Sequence, residues 1–265
     1  MVDVLSGEID DEDARVNRCK QTLAATFRAF ARQGFDLGLA GHITQRDFRD
    51  PGRFWVNPLG KDFASMMPGD LVLVDHAGNV VHGRGPINHS AYVIHSRIHE
   101  TRPDVNAVAH AHSTFGSTWS TLGRFLDPVT QGACVFFEDH ALMDDYGGPV
   151  METNEGEAVA EELGKKKAII MRNHGLLTVG ATVEEAAWWF IAMERACQTQ
   201  ILAEQVGLPV RIPDQTARRT RIINGSHEAG HLAFRPYLER EGITSMAVSL
   251  PPYQGFAGSS GRASV

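Results

Sequence analysis

Cysteine is scarce in this chain. The three residues, Cys19, Cys134 and Cys197, lie far apart with no CxxC pair. They read as buried thiols in a reducing compartment, Cys19 and Cys197 on apolar helix stripes, and not as a disulfide framework. Long apolar runs are missing too. Nothing approaches the roughly 20 residues of a membrane span, and the acidic start (Glu8, Asp10, Asp11, Glu12, Asp13) is unlike a cationic leader. A cytoplasmic protein with no membrane partner is expected. Positive charge is also short: 25 Lys and Arg against 32 Asp and Glu leave a formal charge of -7. Apart from Lys165 to Lys167 and Arg218 to Arg221, which read as solvated surface, the basic residues are scattered, and no nucleic-acid footprint emerges.

What remains is ordinary globular material, 43% hydrophobic, enough for one large domain. Val16, Cys19, Leu23, Phe27 and Phe30 recur at helical spacing, predicting a helix over 11–33 with Gly34 beyond its end. Short extended pieces follow at 42–45, 54–57, 71–75 and 80–82, the last two joined across Ala77-Gly78-Asn79. Asn88 can cap a helix ending before Arg102-Pro103. A strand over 105–110, a helix over 114–122, a strand over 134–138, a helix over 155–163 and strands over 168–172 and 176–179 complete the alternation. The clearest helix starts at Thr182 with Glu185 in a capping box and stops at Gly207 and Pro209. A helical stretch over 226–240 leads to a Pro/Gly/Ser-rich tail. We divide the chain into a flexible N-terminus (1–10), one domain (11–210), and a C-terminal helical segment and tail (211–265) packed on the domain or on a neighbouring subunit. Mixed short strands and helices argue for an α/β or α+β sandwich.

Histidine is abundant, with 12 residues. In His110-Ala111-His112 the two imidazoles, at i and i+2 on a strand-like run, emerge on one face about 7 Å apart at Cα. That spacing suits two ligands on one ion or two ordinary surface histidines. His174, in Asn173-His174-Gly175 directly after an apolar strand, adds a third imidazole where the following glycine lets the chain turn sharply. Three neutral imidazoles suit zinc, and also manganese, iron or cobalt, with positions left for substrate oxygens. His95 and His99, at i and i+4, read as packing or surface residues beside Ile98. Glu138-Asp139-His140 could face a pocket or cap a loop.

The ordered series Ala40-Gly41-His42-Ile43-Thr44, Asn57-Pro58-Leu59-Gly60, Asp70-Leu71-Val72-Leu73-Val74-Asp75, His95-x-x-Ile98-His99-x-x-Arg102-Pro103-Asp104-Val105, His110-Ala111-His112 and Asn173-His174-Gly175-Leu176-Leu177 resembles the class II aldolase/adducin family. The resemblance implies a three-layer α/β/α sandwich, with a central, mainly antiparallel sheet flanked by helices. It implies one divalent metal per subunit, zinc foremost, on His110, His112 and His174. It further implies a homotetramer with sites at subunit boundaries. Members range from sugar-phosphate aldolases, epimerases, dehydratases and decarboxylases to the non-catalytic adducin head.

Where the sugar-phosphate aldolases carry a catalytic glutamate, this chain has Ile87-Asn88-His89. His89 becomes the candidate fourth ligand or acid/base, since a first-turn histidine is kept neutral by the helix dipole. Phosphate-binding positions are replaced by Ile87-Asn88, His42 and Leu59, which points away from a sugar phosphate. A hydroxy or oxo carboxylate, or an aromatic acid, held by some of Asn57, Lys61, Arg84 and Asn88 is expected, with Tyr146 and Tyr237 as candidate phenolic proton donors. The leading expectation is a retro-aldol or decarboxylating lyase. An iron oxygenase on the same histidines and an adducin-like binding module stand as alternatives.

Overall fold

The computed structural model of the chain describes residues 3–148 and 153–243. Helix α1 (Asp3–Arg32) turns Leu23, Phe27 and Phe30 into the core. It begins within the 1–10 stretch expected to be flexible, eight residues before its predicted start. Gly34 ends it at φ 75°, a conformation glycine adopts without penalty. Strands β1 (His42–Arg46), β2 (Arg53–Val56), β3 (Val72–Asp75) and β4 (Val80–His82) form a meander, followed by helix α2 (His89–Thr101) and strand β5 (Ala107–Ala111). Helices α3 (Thr114–Ser120) and α4 (Gln131–Cys134) precede β6 (His140–Met143). Then come α5 (Thr153–Leu163), β7 (Ala168–Met171), β8 (Gly175–Gly180), α6 (Val183–Val206), α7 (Asp214–Asn224) and α8 (His227–Arg240).

The eight strands make one sheet in the order β4-β3-β2-β1-β5-β8-β7-β6. Every neighbouring pair is antiparallel except β6 with β7. Strand alternation decides which side chain meets which layer. On β5, Ala107, Ala109 and Ala111 join the core formed with α1 and α6, while Val108 joins the opposite core with Ile94 and Ile98 of α2 and Val159 of α5. Helices on both faces make the three-layer α/β/α arrangement expected from the sequence. Phe190 of α6 packs tilted against Phe30 at 5.2 Å and edge-on against Phe35 at 5.3 Å between ring centroids. Fully burying such rings contributes roughly 1.5–3 kcal/mol each, and this cluster ties α1 to α6.

Caps explain the helix starts. Asn88 accepts from Ala91 N, Thr130 from Ala133 N, Thr182 from Glu185 N and Ser226 from Ala229 N. Thr130 also explains a misreading: the run expected as a strand over 134–138 instead continues the turns that α4 begins. Glu138 turns the chain at φ 58° before β6. Buried Cys134 and Phe136 fill space against α6 from helical turns. Helix α7 was not expected, because its surface is almost wholly polar and only Ala217 is buried. Cys19 is half-buried rather than enclosed. Lys167 departs from the solvated surface expected of its run: it lies 3.3 Å from Asp139 and 4.3 Å above the Trp189 ring, and donates to Gly225 O. The tail expected from 251 onward lies outside the described residues.

Candidate metal centre

Three antiparallel strands bring the histidines together. β1 lies beside β5 with His42 opposite His110, and β5 lies beside β8 with His110 opposite Leu177. Glycine is needed at position 41. Its φ is 103°, and a Cβ there would stand 3.4 Å from His110 O and 3.3 Å from the Phe63 ring. After β7, Asn173 takes φ 55°, a left-handed conformation that asparagine tolerates better than most residues. His174 is thereby swung back toward the end of β5.

One ring nitrogen from each of His110, His112 and His174 lies within 4.8 Å of the others, and these three are the potential metal-holding cluster found among the described residues. Ring centroids are 5.1, 4.8 and 4.9 Å apart. His110 Nδ1 lies 2.7 Å from Leu176 O. A carbonyl only accepts, so Nδ1 carries the hydrogen and Nε2 is left as the donor atom for an ion, the orientation that metal-ligating histidines commonly receive from a backbone carbonyl. Burial, reinforced by neighbouring His174, His42 and His112, holds His110 well below the usual imidazole range. Burial and then His112 lower His174 to about 4, and burial lowers His112. All three are neutral near pH 7, as ligands must be. The donor set therefore fits a divalent ion with nitrogen preference.

His112 is anchored from below. The chain turns through Ser113 into α3, and the buried Glu194 of α6 receives Ser113 Oγ at 2.6 Å, Phe115 N at 2.9 Å and Gly116 N at 2.5 Å. A carboxylate from another helix thus satisfies donors at the start of α3 that no side chain of that helix caps.

A cavity of about 160 Å³ opens over the cluster, lined by Ala40, Gly41, His42, Asn88, Ser90, His110, His112, Tyr146, Gly148 and His174. Among these described lining residues there is no carboxylate, lysine or arginine. Beyond Tyr146, Gly148 and His174 lies a second hollow of about 220 Å³, with Met143, Val159, Met171 and Arg172 in its wall.

The other site residues expected from the sequence are divided. Asn88 and Tyr146 line the cavity, with the Tyr146 ring 6.4 Å from that of His174. His89 is exposed beside Tyr92 and does not line it, although Asn88 and Ser90 do. Asn57 is buried with Oδ1 lacking a hydrogen bond, Lys61 is paired with Asp70 at 3.0 Å, and Arg84 is exposed; none of the three reaches the cavity lining. Tyr237 packs against Phe234, Trp188 and Arg240. Glu138 pairs with Arg218 and Asp139 with Lys167, while His140 bonds Phe136 O at 2.6 Å and receives Leu126 N at 3.0 Å, so this triplet serves the fold.

His42 belongs to the cavity and was read only as a departure from a phosphate-binding pattern. Of the two readings of His95 and His99, packing and surface exposure, packing holds, since both are fully buried. A signal was available: His42 and Thr44 share one face of a strand, and His95 and His99 share one face of the helix that covers it.

Burial, followed by His95 and other neighbouring histidines, pushes His42 well down. Burial, then His99 and His110, does the same to His95, and burial with Arg46 lowers His99 to about 3. Their folded values lie below the unfolded value of about 6.5, so as pH falls the unfolded chain takes up these protons first. Their contribution to stability is complete above that value and is lost progressively as pH drops toward the folded values. Metal-free protein is expected to lose about 1.4 kcal/mol per pH unit for each such histidine, read as falling urea midpoints between about pH 6.5 and pH 4. A flat profile across that window would refute neutral burial.

Comparison with known proteins accords with this geometry. The Class II Aldolase and Adducin N-terminal domain profile matches residues 21–201. The chain is 44% identical over 218 residues to "Decarboxylase NovR" of Streptomyces niveus, covering 82% of this chain and 81% of that one. It is 42% identical over 236 residues to "4-hydroxy-3-prenylphenylpyruvate oxygenase/4-hydroxy-3-prenylbenzoate synthase" of Streptomyces roseochromogenus subsp. oscitans, covering 86% and 85%. Among solved structures, the L-fuculose 1-phosphate aldolase of Glaciozyma antarctica PI12 superposes with a TM-score of 0.81 at 40% identity, covering 86% of this chain and 90% of that one. This chain belongs to the class II aldolase and adducin N-terminal domain family.

Proposed function

We propose that the chain is a divalent-metal-dependent carbon–carbon lyase, decarboxylating or retro-aldol, acting on a small non-phosphorylated hydroxy or oxo acid with an aromatic or otherwise apolar body. The carrying observation is the convergence of three neutral imidazoles on a cavity whose described lining contains neither a carboxylate nor a cationic side chain. A dianionic phosphate would need convergent donors, and Lys61 is engaged by Asp70. The hollow beyond Tyr146, walled in part by Met143, Val159 and Met171, offers room for a ring. A relative named as a decarboxylase supports loss of a carboxyl carbon.

His110, His112 and His174 would hold the ion, zinc before manganese, iron or cobalt. When bound, it supplies Lewis-acid polarisation of a substrate oxygen next to the bond that breaks. His42, Asn88 and Ser90 present the cavity's polar atoms for orienting the acid, and Tyr146 stands where a phenolic proton can be delivered. His89 remains a proposed fourth ligand or acid/base only through a rearrangement of the first turn of α2. We place the site in a homotetramer, with Tyr237 contributing to a neighbour's site. The nearly bare Val206, Leu208 and Val210, at 90, 96 and 88% exposure, support such association. Among the described residues no helix is long and apolar enough to cross a membrane.

A relative named as an oxygenase favours a second reading, the same cleavage with iron(II) and dioxygen. Carbon dioxide release from aromatic 2-oxo acids should proceed without oxygen in zinc- or manganese-loaded protein. Activity confined to the iron form in air would replace the lyase by the oxygenase.

A further inference from the structure

One end of the molecule carries apolar side chains that the fold leaves bare. Leu202 and Val206 lie on the last turns of α6, Leu208 and Val210 on the segment that follows, and Leu122 and Phe125 on the loop between α3 and α4. In that order they are 50, 90, 96, 88, 49 and 53% exposed. The three segments are bonded into one surface. Arg124 of the loop pairs with Glu204 of α6, Asp127 N donates to Gln200 Oε1 at 2.9 Å, Arg211 lies 3.2 Å from Asp127, and Ile212 N donates to Pro128 O at 2.8 Å.

The size of this surface narrows what covers it. The bare fractions amount to about four whole side chains, on the order of 400 Å² of apolar area. Single exposed hydrophobic residues are ordinary, whereas a contiguous patch of this order is characteristic of an interaction surface. A stable association buries about 800 Å² on each partner, rather more than half of it apolar. The patch therefore supplies the apolar share of one side of such an interface.

The rim points to the partner. Its charges come in opposed pairs, Arg124 with Glu204 and Arg211 with Asp127, so it presents no single sign to a strongly charged partner. The same pairs on a second copy supply the opposite charge to each member. At a formal charge of -7, two copies repel on approach, and a face whose charges cancel is where that repulsion is least.

The patch also adjoins the site. Ser120 O, at the end of α3, accepts from Asn173 N at 3.2 Å, one residue before His174. At Gly123 a Cβ would stand 3.2 Å from Asp144 Oδ1 and 3.6 Å from Arg172 Cδ, and Arg172 donates to Asp144 Oδ1 at 2.9 Å. Two residues beyond Asp144, Tyr146 forms a wall shared by the cavity and the hollow. Leu122 and Phe125 thus sit on the loop that braces both.

We infer that a second copy of this chain seats on the patch formed by Leu122, Phe125, Leu202, Val206, Leu208 and Val210, and that this contact steadies the loop bracing the hollow, so that a subunit binds its acid more tightly in the assembly than alone. The coupling to the acid rests on the metal-site reading above, whereas the contact itself does not.

Sedimentation of the full chain tests the surface, comparing wild type with Leu208→Glu, Val210→Glu and a control, Val81→Glu. Val81 is 41% exposed on β4 at the edge of the sheet, outside the patch. Wild type and Val81→Glu should sediment as the same oligomer at micromolar concentration, and the two patch variants as smaller species with unchanged circular dichroism. If either patch variant does not fold, Leu208→Ser carries the same test. A monomeric wild type, which would give the patch to a different protein, or patch variants that keep the wild-type assembly would overturn the inference. Calorimetric titration of an aromatic 2-oxo acid into zinc-loaded protein then reads the coupling. Zinc content should be equal in all the proteins, and the Kd for the acid several-fold higher in the patch variants. Equal affinity in a dissociated variant would strike out the coupling. Failure of wild type to retain zinc would sink the metal reading and leave the sedimentation result standing.

Discussion

His110→Ala protein should lose divalent-metal affinity by about two to three orders of magnitude. Zinc bound by four protein ligands in small domains gains about 10–16 kcal/mol. Each ligand then accounts for roughly 3–4 kcal/mol, and about 1.4 kcal/mol is tenfold in affinity. His174→Ala should behave alike, because His174 closes the other side of the cluster. Competition of the purified variants against a chelator of known zinc affinity gives the number. Wild type should hold about one ion per chain under conditions where both variants hold almost none. Unchanged affinity in either variant would move the ion elsewhere. The same titration decides the place of His89: a comparable drop in His89→Ala would make it the fourth ligand despite its exposure.

Glu194→Ala should be the most destabilising of the single changes considered. The carboxylate is 5% exposed and receives three donors, two of them backbone amides at the start of α3. Truncation leaves those donors buried and adds a void, for which about 3–5 kcal/mol is a reasonable total, each orphaned group costing about 1–3. At roughly 2–4 °C per kcal/mol in a chain of this size, melting should fall by about 6–20 °C. Calorimetry of metal-free protein separates this from metal loss. A fall of only a degree or two would mean that water replaces the carboxylate and that α3 does not need it. A second consequence is local: with α3 loosened, His112 loses its anchor and metal affinity should weaken as well.

The contrast between these residues shows what sequence reasoning can reach. His110 and His112 were legible because a strand repeats every two residues, so an HxH pair shares a face wherever it is extended. His174 was legible because Asn173 and Gly175 mark a turn after an apolar strand. Glu194 was not, since nothing in a helical pattern says that a carboxylate is turned inward to meet another helix's amides. His89 is drawn toward the site by its neighbours, but the chain is still extended at the cap residue Asn88, where alternate side chains share a side; Asn88 and Ser90 face the cavity and His89 does not. The run at 134–138 could serve as strand or helix, and Thr130 settled it by capping four residues earlier. The layers and sheet came through family resemblance as much as through periodicity. His42 and Thr44 on one strand face, and His95 and His99 on one helix face, are each legible in the sequence, but only the three-dimensional packing lays one face on the other.

The register of β1, β5 and β8 also bears on the life history of the site. His42 faces His110 across one pair of strands and Leu177 faces His110 across the next, all near the middle of the sheet. Backbone pairing thus sets His110 before any ion arrives, and His112 and His174 each stand one residue outside a paired strand, unlike small zinc domains that remain unfolded without metal. Such a centre can be emptied and refilled in a standing protein. Which metal it carries would then reflect supply and the rate of entry through the cavity mouth, so one polypeptide could change its chemistry with its surroundings without refolding.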